Sequence, residues 1–271
     1  MNNSNKLQEK FLSDGFVLVK GLLSNKTIFS ELLESVFTVY SKYNKSTKLT
    51  NIDEPWLTEE FYKEFIEYRE KNPEDFSAMY DSIQTNVILD KFLTDDSIVD
   101  IVATLLNTTK QELSITGRQL RIDVPLDERN KVNWHQDISR FRNEGLVVWF
   151  PLVDVPSETG ALVVCPKSHN GGDVVVETKA IESYETTRQY EIKQEFIEKY
   201  DQLQIPMEKG DVLFFDINMI HKSGDNISKK IRFSTQGRFS VITSEKFLPF
   251  GEARSYNPYI AKKVGIQLYD Q

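Results

Sequence analysis

Hydrophobic and polar positions repeat with two different periods along the chain, and the change falls near residue 110. Before that point apolar residues recur at every third or fourth position, as on the buried face of a helix. The pattern predicts a mostly helical part over residues 1–110, with one short strand and one polar loop. The predicted helices span residues 24 or 25 to about 40, 58 to about 70, 73 onward and 97–106; the strand spans 16–19 and the loop 41–55.

After residue 110 apolar and polar positions alternate, which is the period of a strand with one buried face. Turn residues, among them Gly160, Gly172 and Gly210, separate the alternating runs. Several short strands with regular turns favour a sandwich or a jelly-roll barrel. The predicted strands span residues 113–124, 146–153, 162–164, 174–177, 212–215 and 231–241.

The chain of 271 residues is predicted to form a single domain that is mainly β with N-terminal helices. The helical part, residues 1–110, precedes a jelly-roll core over 111–245 and a C-terminal tail over 246–271. An insertion at about 173–205 interrupts the core, and its charged segment 181–200 is predicted to be partly helical. Charged stretches of this kind usually form a solvated face.

Charge balance and cysteine content exclude several classes of protein. With 33 basic and 41 acidic residues the net charge is −8, which argues against nucleic acid as a partner, because phosphate contacts need a basic face. Cys165 is the only cysteine, which excludes an internal disulfide and a Cys-rich zinc site. The N-terminus lacks the apolar run of a signal peptide, and no apolar stretch reaches the ~20 residues that cross a bilayer. We therefore expect a cytoplasmic protein without membrane contact.

Two of the three histidines stand in a pattern that indicates a metal site. In an extended segment, His135 and Asp137 would lie on the same face, because residues two apart share a side of a strand. His221 follows 84 residues later, at the end of an apolar strand pattern. Two histidines and one carboxylate on one side of a metal form the facial triad of non-haem Fe(II) oxygenases. A His-x-Asp tripeptide also occurs by chance, so the pair alone is weak evidence.

A basic residue downstream of His221 strengthens this interpretation. Arg232 lies 11 residues past His221, and Ser234 shares its face of the predicted strand. An arginine can bind a carboxylate through two parallel hydrogen bonds, and a neighbouring hydroxyl can add a third. The pair is a suitable anchor for the distal carboxylate of a dicarboxylic acid whose other end chelates a metal.

The order of several segments resembles that of a known family. Segment 159–169 has the Gly-x-Leu pattern followed by Ser-His, with Lys167 where the family usually has glycine. Together these segments resemble the phytanoyl-CoA dioxygenase family of Fe(II)- and 2-oxoglutarate-dependent oxygenases. The matching segments span residues 11–19, 134–137, 159–169, 210–215, 221–226 and 232–234.

The resemblance implies a double-stranded β-helix with Fe(II) bound by His135, Asp137 and His221 at one mouth. It also implies that 2-oxoglutarate and O₂ are cosubstrates, that succinate and CO₂ are coproducts, and that a C–H bond of a small-molecule metabolite is hydroxylated. Related halogenases have a small residue in place of the carboxylate, so Asp137 favours hydroxylation. The alternatives are desaturation, epimerisation or cyclisation by the same chemistry, a cupin-like Mn or Zn enzyme, and a non-catalytic barrel, either a metal-binding sensor or a carbohydrate-binding module.

The resemblance implies three further contacts to 2-oxoglutarate, from Gln136, Trp149 and His169. Each has an alternative: Gln136 would point away from the metal on a strand, Trp149 fits an apolar core face, and His169 fits a loop residue bonded to the backbone. Gln84 and Arg121 are candidates for lining the site by rough position only.

The segment around the first ligand pair differs in charge from the rest of the chain. Residues 118–142 contain six basic and four acidic side chains, so the segment is +2 in a chain of −8. A basic rim would attract an anionic cosubstrate or substrate. Ordinary surface ion pairing is the alternative interpretation.

Overall fold

The computed structural model describes residues 3–23, 27–126, 131–141, 143–174, 176–181 and 184–247. Its first part is helical, as the apolar spacing predicts. None of the described helices is long and apolar enough to cross a membrane. The helices before residue 110 are α1 (Asn3–Asp14), α2 (Ile28–Tyr43), α3 (Glu59–Lys71), α4 (Pro73–Ile83), α5 (Val87–Leu93) and α6 (Asp96–Leu105).

All four predicted helices are present, and their starts follow from local chemistry. The Thr58 hydroxyl accepts a hydrogen bond from the Phe61 N–H and caps α3, while Pro73 opens α4, where a missing N–H costs nothing. Residues 24 and 25, the predicted caps of α2, lie outside the described part of the chain. The predicted loop 41–55 is shorter than expected, because α2 continues to Tyr43 and a 3₁₀ turn follows at Leu49–Asn51. Two helices, α1 and α5, were not predicted.

The strands form two antiparallel sheets and a hairpin. The large sheet has the order β1-β8-β3-β10-β2, the small sheet has the order β7-β4-β9, and β5 pairs with β6. Two short helices, α7 (Ile138–Phe141) and α8 (Gln194–Ile197), lie between strands. The strands are β1 (Phe16–Val19), β2 (Leu113–Asp123), β3 (Gly145–Pro151), β4 (Leu162–Val164), β5 (Val176–Ile181), β6 (Tyr184–Ile192), β7 (Leu203–Ile205), β8 (Val212–Asp216), β9 (His221–Lys222) and β10 (Arg232–Val241).

The insertion differs from its prediction. The strand expected at 174–177 begins at Val176 and continues to Ile181, and the segment expected to be partly helical is mainly the strand β6. Among the described residues of this segment, only the four of α8 are helical. The two strands bond to each other along one edge of each, so this charged segment is regular as a strand pair instead of a helix.

The two faces of the large sheet pack against different layers. The outer face packs against the helices, and its side chains belong to the main hydrophobic core. The inner face packs against the small sheet: Trp149 of β3 and Leu213 of β8 share a core cluster with Leu162 and Val164 of β4. The outward-facing core residues of the large sheet include Val17, Leu120, Ile122, Leu146, Val148, Phe150, Val212, Phe214, Phe233 and Phe239.

The fold is mixed helix and antiparallel sheet, which corrects the expectation of a mainly β protein. Helices α1 and α5 add to a helical layer that covers one whole face of the large sheet. The two sheets face each other, but they share no strand and close into no barrel among the described residues.

The free edge of the large sheet at β2 is covered by α4. The Gln84 amide donates to the Leu120 carbonyl at 3.0 Å and accepts from the Leu120 N–H at 2.9 Å, so it pairs with the edge as another strand would. Covering an edge in this way protects it from unwanted strand pairing. Gln84 therefore joins helix to sheet, and its expected place in the lining of the site is corrected.

Candidate metal centre

His135 and His221 are held against each other by two backbone hydrogen bonds. The N–H of each donates to the carbonyl of the other at 3.0 Å, which forms an antiparallel bridge between β9 and the segment before α7. The ring centroids lie 4.1 Å apart. Asp137 brings its Oδ1 to 3.7 Å from His135 Nε2. One ligand atom from each of the three residues lies within 4.8 Å of the others, so the structure brings the predicted triad together.

A hydrogen bond on the rear nitrogen orients each imidazole. Nδ1 of His135 lies 2.8 Å from the Asn133 carbonyl, and Nδ1 of His221 lies 3.0 Å from the Met219 carbonyl. Because a carbonyl only accepts, Nδ1 carries the proton and donates in both rings. The lone pair is then on Nε2, and this arrangement is usual for metal-bound histidine.

Asp137 is oriented by Arg238 of β10. Nε and Nη2 of Arg238 both donate to Oδ2 of Asp137, at 2.9 and 2.8 Å. Both side chains are buried. The other oxygen, Oδ1, is the one that faces His135.

Burial and ion pairing put the three side chains in the protonation states that bind metal. Loss of hydration lowers the pKa of His135, and it lowers the pKa of His221 to about 3. Burial raises the pKa of Asp137, but the positive charge of Arg238 and its hydrogen bond lower it, and the net shift is downward. Neutral imidazoles and an ionised carboxylate are the ligating forms. The donor set is therefore suited to iron and leaves half of an octahedral shell open.

Arg232, the predicted carboxylate anchor, is buried at the start of β10 and has an internal partner. Its Nε and Nη2 donate to Oδ2 of Asp123 at 3.1 and 2.9 Å, and its Nη1 donates to the Gly160 carbonyl. Asp123 also accepts from Nη2 of Arg121 at 2.6 Å. Burial raises the pKa of Asp123, but the two arginines lower it to about 2. The carboxylate therefore stays ionised and holds both guanidinium groups in place.

Arg232 lines a cavity of about 220 Å³ whose lining does not include the three triad residues. Ser223, two residues past His221, lines the same cavity, as does Lys131. Lys131 pairs with Asp225 at 2.7 Å. Guanidinium, ammonium and hydroxyl groups can all bind a carboxylate; Asp123 and Asp225 line the same cavity and pair with its two cations.

Ser234 lies on the same strand face as Arg232 and is fully buried. Its hydroxyl has no hydrogen-bond partner among the described residues. An unsatisfied buried hydroxyl costs about 1–3 kcal/mol, so this position fits a polar ligand that is not part of the chain. The β2–β10 register places Ser234 opposite Arg121, whose charge adds to burial in lowering the pKa of His135. Arg121 thus lies near the site, as expected.

Gln136 does not face the site. Its amide N–H groups donate to the Gly172 and Asn218 carbonyls, and its oxygen accepts from the Val174 N–H at 2.8 Å. Because both amide hydrogens are used, Gln136 anchors neighbouring backbone. This corrects the expected contact to 2-oxoglutarate and agrees with the alternative that the side chain points away from the metal.

His169 also lies away from the triad, at the C-terminal end of α1. Its Nε2 lies 3.1 Å from the Leu12 carbonyl. This agrees with the alternative interpretation, in which His169 is a loop residue bonded to the backbone. Lys167 nearby donates its N–H to the Asp14 carbonyl at 2.9 Å. It adopts φ +68°, the left-handed conformation that glycine favours, so the turn persists without glycine.

Trp149 is buried on the inner face of β3. It packs in the cluster between the two sheets with Val147 and Leu213. The register places it opposite Gln236 of β10, in the same row of side chains as the polar residues of the site. Its position fits the core interpretation. It also lies next to β10, the strand that carries Arg232, Ser234 and Arg238 on its inner face.

The basic residues around the first ligand pair are largely ion-paired. Arg118 pairs with Asp90, Arg121 with Asp123, and Lys131 with Asp225. Ordinary ion pairing therefore accounts for much of this segment's excess charge. Its residues 127–130 and 142 lie outside the described part of the chain.

Three residues of the site were missed by sequence analysis: Asp123, Ser223 and Arg238. Strand alternation could have identified Asp123 and Arg238. Each is a charged residue an even number of positions from an arginine on the same strand, Arg121 and Arg232 respectively, and therefore shares its face. Ser223 is two residues past His221 and therefore shares its strand face.

Two histidines and a carboxylate whose ligand atoms lie within 4.8 Å of one another are the donor set of a non-haem iron centre of the oxygenase type. The chain belongs to the phytanoyl-CoA dioxygenase (PhyH) family, whose model matches residues 11–234. This range contains the triad and Arg232. Among curated proteins, none matches the chain.

Several solved structures have a similar fold. The epimerase SnoN, in complex with Fe3+, alpha ketoglutarate and nogalamycin RO, superposes with a TM-score of 0.58 at 17% identity, over 88% of this chain and 83% of that one. The non-heme monooxygenase ThoJ gives 0.57 at 19% identity, over 87% and 77%. EvdO2 from Micromonospora carbonacea var. aurantiaca, complexed with 2-oxoglutarate, gives 0.55 at 16% identity, over 89% and 91%. At these identities the likeness shows the fold.

Proposed function

We propose that the protein is an Fe(II)- and 2-oxoglutarate-dependent oxygenase that hydroxylates a C–H bond of a small-molecule metabolite and releases succinate and CO₂. The observation that carries the proposal is the triad of His135, Asp137 and His221, with each ligand fixed in orientation by a second contact. A barrel that only binds carbohydrate needs no such triad. In this proposal the helices and both sheets form one oxygenase domain of the double-stranded β-helix type.

The protein's own part in the reaction is to hold the metal and keep room beside it. Nε2 of each histidine and Oδ1 of Asp137 would bind iron on one side. The remaining positions serve a chelating cosubstrate and O₂, and bound iron with 2-oxoglutarate supplies the oxidising chemistry. Asp137 occupies the position that a halide takes in related halogenases, which favours hydroxylation.

Arg232 would bind the distal carboxylate of 2-oxoglutarate, with the Ser234 hydroxyl as a further donor. The pairing of Arg232 with Asp123 fixes the guanidinium before the cosubstrate arrives, and a preorganised group loses less entropy on binding. Ser223 and Lys131 line the adjoining cavity. Trp149 would contact the cosubstrate from the inner cluster.

Succinate release tests the proposal. Purified protein is incubated with Fe(II), 2-oxoglutarate and ascorbate, with and without pools of small metabolites, and succinate is measured. We expect release that increases with the right pool, and a product heavier by one oxygen atom in the mass spectrum. His221→Ala is the control and should release none. Iron binding without any succinate, in every pool, would favour a non-catalytic barrel; a product that is desaturated or epimerised would correct the proposed outcome.

A further inference from the structure

Arg238 makes more contacts around the metal centre than a simple ion pair requires. Two of its nitrogens donate to one oxygen of Asp137, and Nη1 donates to the Gly117 carbonyl at 2.7 Å. The guanidinium also lies over the Phe141 ring, 4.6 Å from its centroid. A planar arginine held on three sides has little freedom to move.

The backbone around Arg238 is shaped for this arrangement. The register between β2 and β10 shifts beside Arg238, and Gly117 lies in this irregular part of β2 with φ +57°. A Cβ at Gly117 would lie 2.4 Å from the Phe141 ring and 3.1 Å from Cδ of Arg238. Any larger residue would therefore displace the two side chains that place and cover the guanidinium.

The two hydrogen bonds from Arg238, here called the fork, limit how the Asp137 carboxylate can bind a metal. Oδ2 accepts two charge-assisted hydrogen bonds, which occupy its lone pairs. Only Oδ1 is left for the metal. A carboxylate that bound through both oxygens would take one of the positions that a chelating cosubstrate and O₂ need.

We infer that Arg238 is a positioning residue that holds Asp137 as a one-oxygen ligand and so keeps a coordination position open. The inference rests on the proposed function in that it assumes a metal at the triad. It does not depend on which substrate is oxidised or on the outcome of the reaction.

The test measures metal binding without turnover. Co(II) is titrated into the metal-free protein, and both its affinity and its visible spectrum, which reports coordination number, are recorded. Arg238→Met removes the fork but keeps an apolar side chain of similar length. Loss of such an outer contact to a metal ligand typically weakens binding about 10- to 100-fold, and we expect a loss in this range together with an altered spectrum. Arg238→Lys should recover only part of the affinity, because an ammonium cannot reproduce the fork.

A double-mutant cycle separates positioning from general stability. In an Asp137→Ala background the arginine has no ligand left to orient, so Arg238→Met should cause no further loss of Co(II) affinity. Arg118→Met serves as the matched control, because Arg118 lies on the same sheet but is exposed and pairs with Asp90. We expect wild-type metal binding in that variant.

The following outcomes would overturn the inference. A folded Arg238→Met protein could bind Co(II) with wild-type affinity and spectrum, or the substitution could weaken binding equally in the Asp137→Ala background. If Arg238→Met does not fold, wild-type affinity and spectrum in Arg238→Lys would have the same meaning. Failure of the proposed function would give a different result. The wild type would bind Co(II) and Arg238→Met would weaken that binding and alter the spectrum, but the wild type would form no succinate. A wild type that binds no Co(II) would overturn both.

Discussion

The two faces of the five-stranded sheet bury side chains of opposite character. On β10, Phe233 and Phe239 point outward into the helical core, whereas Arg232, Ser234 and Arg238 point inward. The neighbouring strand β3 buries apolar residues on both faces. The polar character is therefore confined to the half of the inner face formed by β10 and β2.

This difference separates what stabilises the fold from what forms the site. A sheet covered on both faces is usually apolar on both, and each buried polar group costs free energy unless it has a partner. On the polar half the partners are built in: Asp123 for Arg232, and Asp137 for Arg238. Ser234 is the exception, since its hydroxyl has no partner among the described residues. The outer face should therefore control stability, and the inner polar half should control ligand binding.

The largest effect is expected for His221→Ala. Removing a direct ligand should cost more Fe(II) affinity than the roughly 10- to 100-fold that follows loss of an outer contact. The melting temperature of the metal-free protein should change little, because His221 lies outside the helical core. Anaerobic Fe(II) titration and thermal unfolding measure the two quantities. Normal Fe(II) affinity in both His221→Ala and His135→Ala would show that the metal site is elsewhere.

Phe150→Ala should give the opposite result on the outer face. Phe150 is fully buried and stacks on Phe92 at 4.8 Å between ring centroids. Truncating a buried phenylalanine typically costs about 3–5 kcal/mol of the free energy of unfolding. Denaturant unfolding should show this loss, while the remaining folded protein binds Fe(II) as the wild type does. A stable variant with weakened metal binding would contradict the separation of the two faces.

The smallest effect is expected at the turn beside α1. Lys167 holds a left-handed backbone, which costs an L-residue about 1–2 kcal/mol, whereas glycine loses about 0.5–1 kcal/mol through its greater freedom when unfolded. Lys167→Gly should therefore raise the free energy of unfolding by about 0.5–1 kcal/mol. Metal binding should not change, since the turn lies away from the triad. Destabilisation in denaturant unfolding would mean that the lysine side chain makes a contact that outweighs the strain.

Sequence alone predicted the features that depend on local pattern. Strand alternation placed Arg232 and Ser234 on one face of a strand, and residue spacing together with the family resemblance assembled the three metal ligands. Helices α1 and α5 were missed, because α1 is polar over most of its length and α5 has only seven residues. A short or weakly amphipathic helix is defined by tertiary packing more than by its own period.

Strand phase marks Asp123 and Arg238 as charged residues of interest, but the residue that each one pairs with could not be predicted, because the partners come from distant parts of the chain. Asp123 meets Arg232 across 109 positions, and Arg238 meets Asp137 across 101. Nothing in a local pattern identifies which charged residue on one strand opposes which on another. The same reason explains why the role of Gln136 was not predicted. Its amide donates to the carbonyls of Gly172 and Asn218, which are distant in sequence and are not indicated by the strand pattern around Gln136.

Binding of 2-oxoglutarate to Arg232 variants tests the central claim most directly. 2-Oxoglutarate is titrated into the anaerobic Fe(II) protein, and the metal-to-ligand charge-transfer absorbance is followed. Removing one partner of a buried charge pair costs about 3–5 kcal/mol, so Arg232→Ala should bind roughly a hundred- to several-thousand-fold more weakly. Arg232→Lys should recover part of the affinity, and Fe(II) binding should barely change in either variant. A folded Arg232→Ala protein that binds 2-oxoglutarate as well as the wild type would contradict the assignment of the inner polar face as the cosubstrate site.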